Sequence, residues 1–175
     1  LLFLKLHHEC QEKKRQVIAI TSSIKGEGKT TTSSNLAIIA ARDFGKKVLL
    51  IDADFKNPTV GKYFQLEQTF GLIDVVQKRC PIERAIVTSV VDNLSILPMG
   101  RSFYVNQSSD IANLALLDDI LTRLRGRYSD VLWNDKTGDF LQEVPKSAGF
   151  DYIFIDAPPL IPIVDMTVIS NSVEG

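Results

Sequence analysis

The chain has 175 residues, a formal net charge of −1, and 45% hydrophobic against 23% charged residues. That length and balance suit one globular domain with a core of its own. They argue against an overall basic field for holding nucleic acid, and no apolar run is long enough for a membrane-spanning helix.

Residues 1–16 read as a helix leading into a first strand. Leu1-Leu2-Phe3-Leu4 is too short for a signal-peptide core and lacks a basic start and a cleavage site. His7 and His8 have no Cys or Asp partner at ligand spacing, so they read as surface histidines. Lys13-Lys14-Arg15 reads as a solvated face. Cys10 and Cys80 form no Cys-x-x-Cys pair, and a reduced, cytosolic chain is the simpler reading. Both ends, Leu1 and Gly175, read as truncations of a longer protein.

The apolar run Val17-Ile18-Ala19-Ile20 is followed by Thr21-Ser22-Ser23-Ile24-Lys25-Gly26-Glu27-Gly28-Lys29-Thr30-Thr31, then by the helical spacing of Leu36, Ile38, Ile39 and Ala40. Strand, glycine-bearing loop and helix form the context of a phosphate-binding loop. Backbone N–H groups and the positive helix end there meet phosphate oxygens. Residues 23 and 25–31 form the candidate cradle: Ser23, Lys25, Gly26, Glu27, Gly28, Lys29, Thr30 and Thr31. Lys29 is placed to reach the β- and γ-phosphates and the Thr30 hydroxyl to face Mg2+. Ser23 stands where the general motif has its first glycine. The bland alternative is a Gly-Lys turn before an ordinary helix.

The helix is expected to stop near Gly45. Lys47-Val48-Leu49-Leu50-Ile51-Asp52-Ala53-Asp54 then reads as a buried parallel strand with carboxylates at its carboxyl end. Residues 59–100 read as short helices and one strand, Leu94-Ser95-Ile96-Leu97; residues 108–125 have helical spacing. Residues 126–149 read as an insertion or long loop within a single domain spanning 1–175. Tyr152-Ile153-Phe154-Ile155-Asp156 is a further buried strand ending in an acid, stopped by Pro158-Pro159. A helix over 165–172 follows, with Asp165 as its N-cap. Strands alternating with helices predict an α/β fold, a mostly parallel central sheet of P-loop NTPase, Rossmann-like architecture.

Ligands in such sheets bind at the carboxyl ends of the strands. Phosphoryl transfer needs donors for the phosphates, a metal, and carboxylates to position metal or nucleophile. The loop, the Asp52/Asp54 pair and Asp156 supply these in order. Each acid also has an ordinary reading as a strand-end or turn-capping residue.

These stretches resemble one family. Gly26-Glu27-Gly28-Lys29-Thr30-Thr31 looks like the Walker A loop of bacterial tyrosine kinases, the P-loop autokinases of capsular and exopolysaccharide biosynthesis. Val48 to Pro58, with Asp52-Ala53-Asp54, resembles their second Asp-x-Asp motif, and Ile153 to Pro159, with Asp156, resembles their Walker B. The resemblance covers residues 16–108 and 150–172. It implies an ATP- and Mg2+-dependent protein-tyrosine autokinase. In it Lys29 contacts phosphates, Thr30 ligates Mg2+, Asp52 activates the tyrosine hydroxyl, and Asp54 and Asp156 organise the metal and its waters. It implies a homo-oligomer at the inner face of the cell membrane, paired with a transmembrane polysaccharide co-polymerase or a fused membrane segment; that no nucleic acid is a partner is the expectation from the net charge of −1. Lys56 stands where the family usually has Arg, and Lys25 where it usually has proline.

A different class remains open: a P-loop ATPase switch of the chromosome-partitioning and septum-site type. Those carry an extra lysine near the start of the loop, where this chain has Ile24. An inactive nucleotide-binding regulatory module is a third reading. Asn134-Asp135-Lys136 scrambles the guanine signature of GTPases.

Overall fold

The computed structural model describes residues 2–13, 17–101, 120–121, 124, 130–133, 140–144 and 149–159. The elements are α1 (Leu2–Lys13), β1 (Val17–Ile20), α2 (Lys29–Arg42), β2 (Val48–Asp52), α3 (Val60–Tyr63), α4 (Leu72–Val76), α5 (Ile82–Ala85), β3 (Val87–Thr88), β4 (Leu94–Leu97), β5 (Asp130–Trp133), β6 (Phe140–Val144) and β7 (Tyr152–Asp156).

The main sheet has five strands in the order β1-β7-β2-β4-β3. All its pairings are parallel except β3 with β4. The expected α/β architecture is therefore present. β7, late in sequence, sits between β1 and β2. Its register pairs Asp156 with Ile20 on one side and with Asp52 on the other. Three strand ends thus meet at one edge.

Side chains alternate across each strand, and both faces are covered. Leu49, Ile51, Ile153 and Ile155 face a cluster with Leu72, Ile73 and Val76 of α4 and Ala85 of α5. Val48, Leu50 and Phe154 face the other way, onto Leu36, Ala37, Ala40 and Ala41 of α2 and Phe3 of α1. This explains the unbroken apolar runs: a parallel strand covered on both sides needs no polar face. Small alanines on α2 let that helix lie close to the sheet. At the opposite end of β7, the His7 Nδ1 meets the Tyr152 hydroxyl at 2.5 Å and ties α1 to the sheet.

Helix α2 ends at Arg42, and Gly45 takes φ +61, the left-handed conformation that a helix stop favours. Helix α4 docks on the end of β4: Leu72 N–H donates to the Pro98 carbonyl at 2.8 Å and Ile73 N–H to Met99 at 2.9 Å. This approach leaves no room at Gly71, whose added Cβ would lie 2.3 Å from Gly100 N.

Residues 59–100 contain two strands where one was expected. β3 is only two residues long, too short to leave a periodic signal. Within 126–149, β5 and β6 pair as an antiparallel two-stranded sheet of their own, with Asp130 opposite Val144. Of the helix expected over 108–125, Ile120 and Leu121 are helical and buried in the α4 cluster. The rest of it, except Leu124, and the expected helix at 165–172 with Asp165, lie outside the described residues.

Candidate functional site

The loop from Thr21 to Gly28 leaves β1 at the carboxyl edge and enters α2 at Lys29. Gly26 and Gly28 have φ +92 and +85, left-handed values that side chains disfavour. Both turn the loop without filling its concave side. Ser22 Oγ donates to the Ile24 carbonyl at 2.7 Å, and Glu27 Oε2 accepts from Ile24 N–H at 3.1 Å. Thr21 Oγ1 donates to the Pro158 carbonyl at 2.7 Å, fastening the loop to the chain beyond β7. Ser23, Lys25, Gly26, Glu27 and Gly28 are exposed; Thr30 is half-buried and Thr31 exposed.

Lys29 lies against the acids: its Nζ is 4.0 Å from Asp54 Oδ2, with both side chains nearly buried. Thr30 Oγ1 donates to Asp156 Oδ2 at 2.5 Å. Asp54 Oδ1 accepts from the amides of Lys56 at 3.2 Å and Asn57 at 2.9 Å. Those bonds form an Asx-type turn that leaves Oδ2 toward Lys29. Asp52 Oδ2 accepts from Val60 N–H at 3.0 Å and Oδ1 from Asp54 N–H at 3.3 Å. Lys25 Nζ reaches Asn57 Oδ1 at 3.2 Å, bridging the two loops. The structure therefore brings Lys29, Thr30, Asp52, Asp54 and Asp156 to one place.

Asp52, Asp54 and Asp156 are buried. Burial, then the Asp156 carboxylate, pushes Asp52 up to about 8, with the Asp54 and Val60 amides opposing. Asp156 is raised too, chiefly by burial, while the Thr30 hydroxyl and Lys29 ammonium pull it down. Carboxylates gathered this closely resist ionising together unless a cation joins them.

Asp156 Oδ1 is buried and has no partner in hydrogen-bond geometry; the nearby Ser33 hydroxyl lowers the Asp156 pKa but gives its proton to the Thr30 carbonyl at 3.1 Å. A buried acceptor left this way is costly, and a metal ion or its water would satisfy it. Thr30, Asp54 and Asp156 offer only hard oxygen atoms, the donor set of Mg2+. No group of three or more His, Cys, Asp or Glu among the described residues forms a metal cage. A P-loop site does not require one, because Mg2+ there takes its ligands from phosphates, water and a hydroxyl. The residues present fit the ion.

Thr59 carries no sequence signal beyond following a proline, yet its Oγ1 is 2.6 Å from Thr30 Oγ1. Asn57 is likewise visible in sequence only as part of a chain break. No helix among the described residues is long and apolar enough to cross a membrane.

A family model described as an AAA domain matches residues 15–173. The chain is 30% identical over 164 residues to the tyrosine-protein kinase YwqD of Bacillus subtilis, covering 94% of this chain and 59% of the relative. It is 34% identical over 146 residues to the septum site-determining protein MinD of Synechocystis, covering 82% of this chain and 45% of the relative. Among solved structures, the BceF tyrosine kinase domain superposes with a TM-score of 0.73 at 25% identity, covering 98% of this chain and 58% of that one. The chain thus spans about half the length of the relatives it matches.

Proposed function

The chain belongs to the AAA domain family, and from that premise we propose that it is the nucleotide-binding domain of a protein-tyrosine autokinase using ATP and Mg2+. The observation that carries this reading is the register of Asp52 against Asp156, beside a loop whose Lys29 and Thr30 face the same acids. The kinase names of YwqD and BceF support it.

In this reading the loop amides and Lys29 hold the triphosphate, and Lys29 follows charge as it builds on the departing phosphate. Mg2+, when bound, supplies charge neutralisation across the phosphates. Thr30, Asp54 and Asp156 would hold it. Asp52 accepts the tyrosine proton as the hydroxyl oxygen bonds to the γ-phosphorus and the bond to the β-phosphate oxygen breaks. Burial and the neighbouring Asp156 raise the proton affinity of Asp52, which favours it as an acceptor once a cation beside Asp156 lets it ionise. Asp52 is fully buried, so a tyrosine hydroxyl reaches it only when the turn over 54–60 shifts.

The whole protein would act as a homo-oligomer at the inner face of the membrane, with a transmembrane polysaccharide co-polymerase or a fused membrane segment. Its role would lie in capsular or exopolysaccharide synthesis and export. The MinD likeness favours a second reading, an ATPase switch. Ile24, where such switches carry their extra lysine, weighs against it. Incubation of the whole protein with ATP and Mg2+, followed by blotting for phosphotyrosine, separates the two. Phosphate release without phosphotyrosine would favour the switch. Failure to bind nucleotide would favour an inactive module.

A further inference from the structure

We propose that Thr59 is a positioning residue for Thr30, donating to its hydroxyl oxygen so that the Thr30 proton stays on Asp156 and the remaining lone pair is held in a fixed direction for the metal. The proposal rests on the reading of this edge as a Mg2+-nucleotide site. A hydroxyl has one proton and two acceptor lone pairs. Thr30 Oγ1 gives its proton to Asp156 Oδ2 at 2.5 Å. With Asp156 ionised, as metal binding requires, the 2.6 Å contact between Thr59 and Thr30 must run from Thr59 O–H to Thr30 Oγ1. One lone pair of Thr30 then remains.

Two features show that Thr59 is committed to this task. It occupies the N-cap position of α3, where a threonine ordinarily accepts from the helix amides, yet its side chain makes no capping bond. Its hydroxyl goes across the site instead. The next residue, Val60, gives its amide to Asp52 Oδ2. Residues 59 and 60 therefore fasten both the metal-side hydroxyl and the proposed proton acceptor. Thr30 needs such a restraint. Thr30 is the second residue of α2, with no helical turn before it whose carbonyls could hold its hydroxyl. Its orientation therefore depends on Asp156 and Thr59 alone, and losing Thr59 removes one of the two.

The test is titration of a fluorescent ADP analogue, with saturating Mg2+ and with chelator, for the wild type, Thr59→Val and Thr59→Ser. Thr59→Val is expected to weaken binding in Mg2+ by about five- to tenfold, the size of one net hydrogen bond. Binding in chelator stays as in the wild type, and Thr59→Ser restores the Mg2+-supported affinity. Unchanged binding by Thr59→Val in Mg2+ would overturn the proposal. So would equal weakening with and without metal, or a serine variant as weak as the valine one. A wild type that binds no nucleotide in either condition overturns the site reading, and the proposal with it.

Discussion

Asp52 and Asp156 are register partners on adjacent parallel strands, β2 and β7, both ending at the same edge and both fully buried. Burial, and after it the Asp156 carboxylate, raises the pKa of Asp52. The pair is costly to keep in a metal-free protein, and that cost can be measured.

Burial and the Asp156 carboxylate push Asp52 from its ordinary value of 3.8 up to about 8 in the folded protein. A folded state that holds its proton more tightly than the unfolded chain loses stability as pH rises. The contribution is fully present below pH 4 or so and is lost on passing through about pH 8, a change on the order of a few kcal/mol. Chelated wild-type protein should therefore melt at lower temperature at high pH than at pH 6. Asp52→Asn should flatten that slope, leaving the smaller slope of the same sign from Asp156. Thermal melts across this range check it; a wild type and variant with the same slope would refute it.

Lys29→Met should abolish nucleotide binding or turnover while leaving the fold intact. The ion pair lost is long, 4.0 Å to Asp54, and Asp54 keeps its two amide donors. Both side chains are nearly buried, so removing the ammonium should cost about 3 kcal/mol and lower the melting temperature by several degrees while the folded structure is kept. Unchanged turnover would count against the assignment of the loop.

Asp156→Asn should uncouple nucleotide binding from Mg2+. The variant loses a negative charge where Oδ1 has no partner, but the loop amides that meet phosphate are untouched. Affinity for ADP in chelator should stay close to wild type, and the gain on adding Mg2+ should fall by about tenfold or more. Isothermal titration with and without the metal reads both.

Gly71→Ala and Gly45→Ala should differ sharply. A Cβ at Gly71 would meet the Pro98 carbonyl oxygen at 2.3 Å, backbone that cannot swing away. Undocking α4 should cost about 2–4 kcal/mol. Gly45 has φ +61 but open space around it, so its alanine variant should lose only about 1 kcal/mol. Chemical denaturation midpoints distinguish them.

Much of this site is visible in the chain alone. Val48 to Ile51 is apolar throughout and ends in Asp52, which marks a strand covered on both faces and opening onto a ligand edge. The same holds for Ile153 to Asp156. The order of strands is not visible. Nothing in residues 152–156 says that they insert between β1 and β2; that depends on which apolar faces α1, α2 and α4 cover. Thr59 was hidden for a related reason. A threonine after a proline carries no signal of its own, and its partner lies 29 residues away across the sheet edge. β3 was too short to show a period, and the β5–β6 ladder lay inside a polar stretch that read as loop.

The kinase reading meets its most direct test in phosphoamino-acid analysis of the whole protein after incubation with radiolabelled ATP and Mg2+. Label on tyrosine is expected in the wild type and should disappear in Lys29→Met and fall steeply in Asp52→Asn. Free phosphate accumulating with no label on tyrosine would contradict it.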